Sequence, residues 1–331
     1  MQSADEPWSG RSAPLVVALN LEWDDLEHEQ AALAHVGARL IRLDQLEENS
    51  QSRVVALLSE GARVTAADLM RYPRLEIVSE FGTGYDAIDV AAAGQLGIAV
   101  TNVAGYCTEE VADHTLALAL TLVRRLESLA KQAQHGKWWG IDTGSVQRCA
   151  DMNWGVVGLG RIGRAVARRA RSFGFSVDAF DPQLGEDEVK RHGARPMSLE
   201  ELLGRADVVS IHAVRTGRHD HMLGRRQFSL MKPTAYLVNA ARGAFIDEEA
   251  LAEALDAGAL AGAALDVLTH EPPDASNRLL RHPRTLVTPH VAWYSDRAQS
   301  ELRERGIRAV VDVLSGREPA DLVPELRAPA D

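Results

Sequence analysis

Trp154-Gly155-Val156-Val157-Gly158-Leu159-Gly160-Arg161-Ile162-Gly163 is the stretch that decides the fold of this chain. A short apolar run ends in glycines spaced G-x-G-x-x-G, and an alanine- and arginine-rich helical segment follows. In a strand–turn–helix unit, Gly158 permits the tight turn and Gly160 lets a pyrophosphate approach the backbone. Gly163 lets helix and strand pack closely, and the helix N-terminus faces the anion. Glycines at this spacing also end ordinary strands, but here strand and helix signals flank them on the correct sides. The next apolar run, Val177 to Phe180, leads into Asp181, eighteen residues after Gly163. A carboxylate there accepts hydrogen bonds from a ribose 2′-hydroxyl and repels a 2′-phosphate, so the expected cofactor is NAD rather than NADP. The ordinary alternative for Asp181 is a turn aspartate before Pro182.

Outward from this turn, strands and helices alternate in both directions. Upstream, Leu15 to Leu19, Ile41 to Leu43, Val54 to Leu58, Ile77 to Ser79 and Ile98 to Val100 read as buried strands. Leu26 to Val36, Ala66 to Arg71 and Val90 to Leu96 read as helices, the last stopped by Gly97. Thr108 is expected to cap a long apolar helix to about Arg125, followed by a Gly- and Trp-rich loop from His135 to Gly144. Downstream, Val208 to His212, Ala235 to Asn239, Ala261 to Val267 and Leu286 to Thr288 continue the strand series. Ser198 with Glu201 forms a capping box, Asp247 caps another helix, and Ser295 opens a last one to about Ser315. Such alternation means α/β architecture with two doubly wound parallel sheets, joined by two long helices whose crossings are hinge candidates.

The 331 residues suit about two domains at roughly 150 residues each. Hydrophobic residues make up 46% and charged residues 25%, enough to build sizeable cores and to exclude wholesale disorder. Asp and Glu outnumber Lys and Arg by 47 to 36, a net charge of −11 that argues against a general nucleic-acid or membrane-surface role. No run approaches the ~18 apolar residues of a membrane span, and Met1 to Pro14 lacks the pattern of a signal peptide. Cys107 and Cys149 make neither a disulfide framework nor a zinc pattern, so no metal is expected and the expected compartment is cytoplasmic.

Three further strand ends carry reactive groups. Val238-Asn239-Ala240-Ala241-Arg242-Gly243 places an arginine after a buried strand; Leu265-Asp266-Val267 is followed by Glu271-Pro272; Thr288-Pro289-His290 closes the last strand. Ligands of open α/β sheets lie outside the carboxyl ends of the strands, which brings these groups toward one crevice. Singly, each has an ordinary reading as a surface arginine, a solvated loop acid or a satisfied histidine. Behind a dinucleotide turn, their joint occurrence is improbable by chance.

These segments resemble the D-isomer-specific 2-hydroxyacid dehydrogenases, most closely the C-terminal-binding-protein branch. The likeness runs from about Val54 to Glu318 through Phe81-Gly82-Thr83-Gly84-Tyr85-Asp86, Gly158 to Gly163, Asn239 to Gly243, Asp266 to Glu271 and Pro289-His290-Val291-Ala292-Trp293-Tyr294-Ser295. The resemblance implies a flavodoxin-like substrate domain of residues 1–102 plus 296–331, a Rossmann NAD domain of residues 103–295, and an active site in the cleft between them. It implies an NAD-dependent enzyme interconverting a 2-keto acid and its D-2-hydroxy acid. His290 would be the general acid and base, Glu271 its partner, and Arg242 the holder of the substrate carboxylate. Amides at Thr83 and Gly84 would form a second carboxylate clamp. Asp266 would orient the nicotinamide carboxamide, and Arg161 and Ile162 would offer amides to the pyrophosphate. Ala213 and Thr216 would flank the adenosine side, with His212 before them in the cofactor set, and Ala240 and Ala241 would pass near the nicotinamide. A homodimer through the NAD domain is implied as well.

Departures sharpen the reading. Glutamate at 271, rather than glutamine, argues against formate oxidation, and no regulatory domain is expected after the last helix. Glu80 stands where the closest branch has an arginine, and would disfavour anionic substrate tails if it faces the cleft. Trp293 would offer a flat wall for a large apolar, thioether or aromatic tail. His219-Asp220-His221 reads as a solvated loop rather than a metal site, and the arginines at 161, 164, 168, 169 and 171 mostly as a solvated helix face. The alternative function is an NAD-sensing scaffold of corepressor type, which has no need for the Arg242, Glu271 and His290 set.

Overall fold

In the computed structural model, which describes residues 13–214 and 221–327, the apolar runs become short parallel strands. The chain divides into two units, Met1–Tyr106 with Ser295–Asp331, and Cys107–Tyr294. The first contains β1 (Leu15–Ala18), α1 (Glu27–Ala34), β2 (Arg39–Arg42), β3 (Val54–Ser59), α2 (Ala66–Met70), β4 (Ile77–Glu80), α3 (Val90–Gln95) and β5 (Ala99–Asn102). Its sheet order is β2-β1-β3-β4-β5 with every pairing parallel. That is the 2-1-3-4-5 order of flavodoxin-like sheets. β1, β3 and β4 are buried along their whole length, as strands covered on both faces require.

The second unit runs α4 (Thr108–Val123), α5 (Leu126–Gln134), β6 (Asn153–Val157), α6 (Arg161–Ser172), β7 (Ser176–Phe180), α7 (Glu186–Arg191), β8 (Arg195–Pro196) and α8 (Leu199–Arg205). It continues with β9 (Val208–Ile211), α9 (Arg225–Leu230), β10 (Tyr236–Asn239), α10 (Glu248–Asp256), β11 (Gly262–Leu265) and β12 (Thr285–Val287). The order β12-β11-β10-β9-β6-β7-β8 is a dinucleotide-fold 3-2-1-4-5-6 sheet with β12 added as a seventh strand. Strand alternation divides its core between two faces. Val156, Val208, Val238 and Ala264 pack on the α4 and α6 side, whereas Val157, Val209, Leu237 and Ala263 pack on the α8 and α10 side. The last helix, α11 (Asp296–Leu314), belongs to the first unit, where Ser79 Oγ donates to the Gly306 carbonyl at 2.9 Å.

The caps at Ser198, Asp247 and Ser295 form as read, each side chain accepting the amide three residues on. Gly97 adopts φ +71° after α3. Other local readings need correction. Thr108 is the first residue of α4, with Cys107 at the N-cap position. The helical region does not stop at Arg125: that residue turns with φ +52° and α5 follows. α7, α9 and β8 are too short to show a period in the sequence. The arginines of α6 are mostly solvated as read, with Arg161, Arg168 and Arg171 exposed and Arg164 and Arg169 half-buried in ion pairs. Arg164 pairs with Glu188 at 3.0 Å, Arg169 with Glu109 and Asp113 at 2.5 and 2.6 Å, and Arg168 with Glu109 at 3.2 Å. Residues 1–12, Thr216 and the His219-Asp220 pair lie outside the described residues. Among those described, no helix is long and apolar enough to cross a membrane.

Candidate active site

In the second unit, every residue singled out for chemistry stands just beyond the carboxyl end of a strand: Gly158 after β6, Asp181 after β7, His212 after β9, Arg242 after β10, Asp266 after β11 and His290 after β12. The glycine turn shows what each glycine does. Gly158 has φ +91°, and a Cβ there would lie 2.7 Å from the Ala213 amide nitrogen on the neighbouring strand end. A Cβ on Gly163 would lie 2.0 Å from the Gly158 carbonyl oxygen. Gly160, by contrast, faces open space with nothing within 4 Å. No side chain caps α6 and its first turn carries no acid, so the amide end of the helix at Arg161, Ile162 and Gly163 presents positive potential. This cradle fits a dinucleotide pyrophosphate.

Asp181 is aimed by its neighbours. Its Oδ2 accepts the Leu159 amide at 2.8 Å and its Oδ1 the Gln183 amide at 2.9 Å. One acceptor position remains on each oxygen for a sugar hydroxyl pair. Across the switch point between β6 and β9, Trp154 Nε1 donates to Ser210 Oγ at 2.8 Å, and His212 Nε2 lies 2.9 Å from the same oxygen. Burial pulls the His212 ring down to about 3, so it is a neutral packing element at neutral pH.

The turn after β10 is built by Asn239, a buried residue whose role the motif alone did not reveal. Its Oδ1 accepts the Ala241 amide at 3.0 Å and its Nδ2 donates to the Arg242 carbonyl at 2.8 Å. Arg242 Nη1 donates to the Ala241 carbonyl at 2.7 Å, which orients the guanidinium. Gly243 follows because nothing larger fits: a Cβ would lie 2.0 Å from the Leu268 carbonyl carbon. That contact presses the arginine loop against the 268–271 loop, which carries Glu271.

His290 Nδ1 lies 2.5 Å from Glu271 Oε2, while Glu271 Oε1 accepts the Leu268 amide at 2.8 Å. Burial pushes the Glu271 carboxyl upward, but the hydrogen bond from His290, its charge, the Leu268 amide and the Arg242 charge hold it below the usual range overall. The carboxylate therefore accepts and Nδ1 carries a proton, leaving Nε2 as the nitrogen that gives or takes one. The hydrogen bond to Glu271 raises the imidazole above its ordinary value, against desolvation and the Arg242 charge. The side chains are 47% and 34% exposed, so a ligand can reach the pair.

His290 has φ +51°, a left-handed conformation that costs a non-glycine residue on the order of 1–3 kcal/mol and must be held by its surroundings. Asp266 does the holding. Its carbonyl accepts the His290 amide at 2.8 Å; its carboxylate accepts Thr288 Oγ1 at 2.6 Å and the Val291 and Ala292 amides at 3.0 and 2.9 Å. His114, on α4, completes the group with Nε2 3.1 Å from Thr288 Oγ1. Sequence reasoning missed it; the available signal was the single imidazole of α4. Trp293 is half-buried in the following turn, edge-on to Tyr294 with ring centroids 5.6 Å apart.

In the first unit, the Thr83–Gly84 turn follows β4. Asn102 Nδ2 donates to the Thr83 carbonyl at 2.7 Å, and Tyr85, its hydroxyl pushed up to about 12 by burial and by Glu325, donates to that carboxylate at 3.1 Å. Glu80 does not present a free acid to repel a substrate tail. It is 2% exposed, with Oε2 accepting Ser59 Oγ and Oε1 the Gly61 amide, both at 2.7 Å.

The sequence model described as "D-isomer specific 2-hydroxyacid dehydrogenase, NAD binding domain" matches residues 116–292. A glyoxylate reductase of Korarchaeum cryptofilum is 38% identical over 254 residues, covering 76% of each chain. The solved D-lactate dehydrogenase of Aquifex aeolicus, complexed with NAD and lactic acid, superposes with a TM-score of 0.86 at 28% identity, covering 95% of this chain and 99% of that one. An NADPH-dependent glyoxylate/hydroxypyruvate reductase of Sinorhizobium meliloti, bound to NADP and malonate, gives 0.83 at 27% identity, covering 97% and 100%.

Proposed function

The chain belongs to the D-isomer-specific 2-hydroxyacid dehydrogenase family, and on that premise we propose that it reduces a 2-keto acid to the D-2-hydroxy acid with His290 as the proton donor. The observation that carries this reading is the His290–Glu271 pair at 2.5 Å beside an oriented Arg242. NAD, when bound, supplies or accepts the hydride. Gly158, Gly160, Arg161, Ile162, Gly163 and Asp181 would hold its pyrophosphate and ribose, with His212, Ala213, Thr216, Ala240 and Ala241 along its length. Arg242 would grip the substrate carboxylate through two parallel N–H groups, with the Thr83 and Gly84 amides as the second clamp. His290 Nε2 would protonate the ketone oxygen during reduction and deprotonate the hydroxyl in the reverse direction. Glu271 fixes the tautomer throughout. A scaffold has no use for this triad, and the triad is complete here.

We further read the substrate as carrying an apolar, thioether or aromatic tail. Trp293, three residues after the acid, supports this; Glu80, buried and bonded, does not contribute. A homodimer through the second unit is proposed because Trp138 and Trp139 are 71% and 88% exposed, apolar area that association would cover. Cys107 and Cys149 are reduced, which fits a cytoplasmic setting. The test is a panel of 2-keto acids with NADH, followed by absorbance. Phenylpyruvate and 4-methylthio-2-oxobutyrate should outrank oxaloacetate and phosphohydroxypyruvate. No turnover of any 2-keto acid would refute the enzyme reading.

A further inference from the structure

Thr288 has one hydroxyl proton and two neighbours that compete for it. The Asp266 carboxylate, 2.6 Å away, accepts amide protons on both oxygens and acts as an acceptor toward the hydroxyl as well. Thr288 Oγ1 therefore donates to Asp266, and the His114 Nε2 at 3.1 Å must carry the proton it offers to Thr288. The direction of the chain is fixed: His114 to Thr288 to Asp266. At its far end, Asp266 engages residues 288, 290, 291 and 292, the whole turn around the left-handed His290. Three of the roughly four acceptor positions of its carboxylate are taken by that turn, which leaves one, on Oδ2, for a nicotinamide carboxamide.

We propose that His114 and Thr288 are positioning residues of the reaction, and that through them the carboxylate of Asp266 serves first to aim the His290 imidazole. This rests on the reductase reading for its kinetic consequences but not for its geometry. Neither His114 nor Thr288 needs to touch substrate or cofactor. Their effect is to keep the His290 turn in the conformation in which Nδ1 meets Glu271. Loosening the turn misplaces the proton donor relative to a substrate held independently by Arg242. A misplacement of about 1 Å costs on the order of 10²-fold in rate.

The test compares wild type with Thr288→Val, His114→Leu and His114→Gln as full-length protein. Thr288→Val and His114→Leu should each lower kcat on the order of 10–10²-fold while the Kd for NADH, read by fluorescence titration, stays within about twofold of wild type. His114→Gln keeps an N–H of similar reach and should restore most of the loss. The double variant should be no worse than the more damaged single, because both break one chain. A second readout needs no turnover: NMR titration of the His290 imidazole in the protein alone. Glu271, Arg242 and Asp266 are the charged groups acting on that ring. In folded Thr288→Val its midpoint should fall, as the hydrogen bond to Glu271 weakens. An unchanged titration, or a loss of NADH affinity that parallels the loss of kcat, would overturn the proposal and make Asp266 chiefly a cofactor anchor. If wild type reduces no 2-keto acid, the reductase reading fails by itself and the titration still decides the chain.

Discussion

Asp181 Oδ2 and the Leu159 amide nitrogen lie 2.8 Å apart, so the acid that ends β7 is tied to the glycine turn that ends β6. The carboxylate is thereby held in place by the Leu159 and Gln183 amides before any ligand arrives. Asp181→Ala should weaken NADH binding by about 1.5–3 kcal/mol, or on the order of 10–10²-fold, as expected for hydrogen bonds to a charged acceptor. NADPH should lose less or gain, because repulsion of its 2′-phosphate disappears with the carboxylate. KM values for both cofactors check this; a wild type that prefers NADPH would contradict it.

Glu271→Gln should move the pH profile of ketone reduction to lower pH. The sign follows from the pair. His290 is raised by Glu271, and reduction needs its protonated form, so activity is present below the raised value and falls as pH rises through it. Removing the anion lowers that value, and the alkaline limb moves down with it. For the reverse oxidation, which needs the neutral ring, the acid limb moves the same way and activity extends to lower pH. Profiles of kcat/KM in both directions, measured in one buffer series, test the shift.

Arg242→Lys keeps the charge and loses the fork. Arg242 is oriented by its bond to the Ala241 carbonyl, and a guanidinium can offer a carboxylate two parallel bonds that an ammonium cannot. Loss of one charged hydrogen bond is worth about 1.5–3 kcal/mol, so kcat/KM should drop on the order of 10–10²-fold with NADH affinity unchanged. A variant as active as wild type would show that a point charge suffices.

Trp138→Ser with Trp139→Ser should shift the protein toward monomer. Both rings are largely exposed on the loop after α5, and Ile141 and Val146 of the same loop are exposed as well. Light scattering of wild type should give twice the 36.0 kDa of one chain at micromolar concentration. A monomeric wild type would end the dimer proposal.

The sheet architecture was legible because the strands are buried on both faces and therefore written as unbroken apolar runs, and because Gly158 and Gly163 have no alternatives in a turn that tight. The His290–Glu271 pair and the Arg242 turn were legible as groups at and beyond strand ends in known motifs. His114 was not, since its partner lies 174 residues away and no local pattern encodes the bond. Glu80 was legible as an oddity but not as a buried acid, because Ser59 and Gly61 reach it only through the pairing of β3 with β4. α5 was hidden by the left-handed break at Arg125, a residue that carries no sequence signature for such a turn.

The strand order has a consequence for how this protein can change. β7 and β12 are separated by four intervening strands, so Asp181 and His290 stand roughly 24 Å apart along the sheet edge at ~4.8 Å per strand. Substitutions that far apart, sharing no partner, combine additively. Cofactor choice and proton delivery are therefore separate dials, and selection or design can turn the first over many generations without retuning the second.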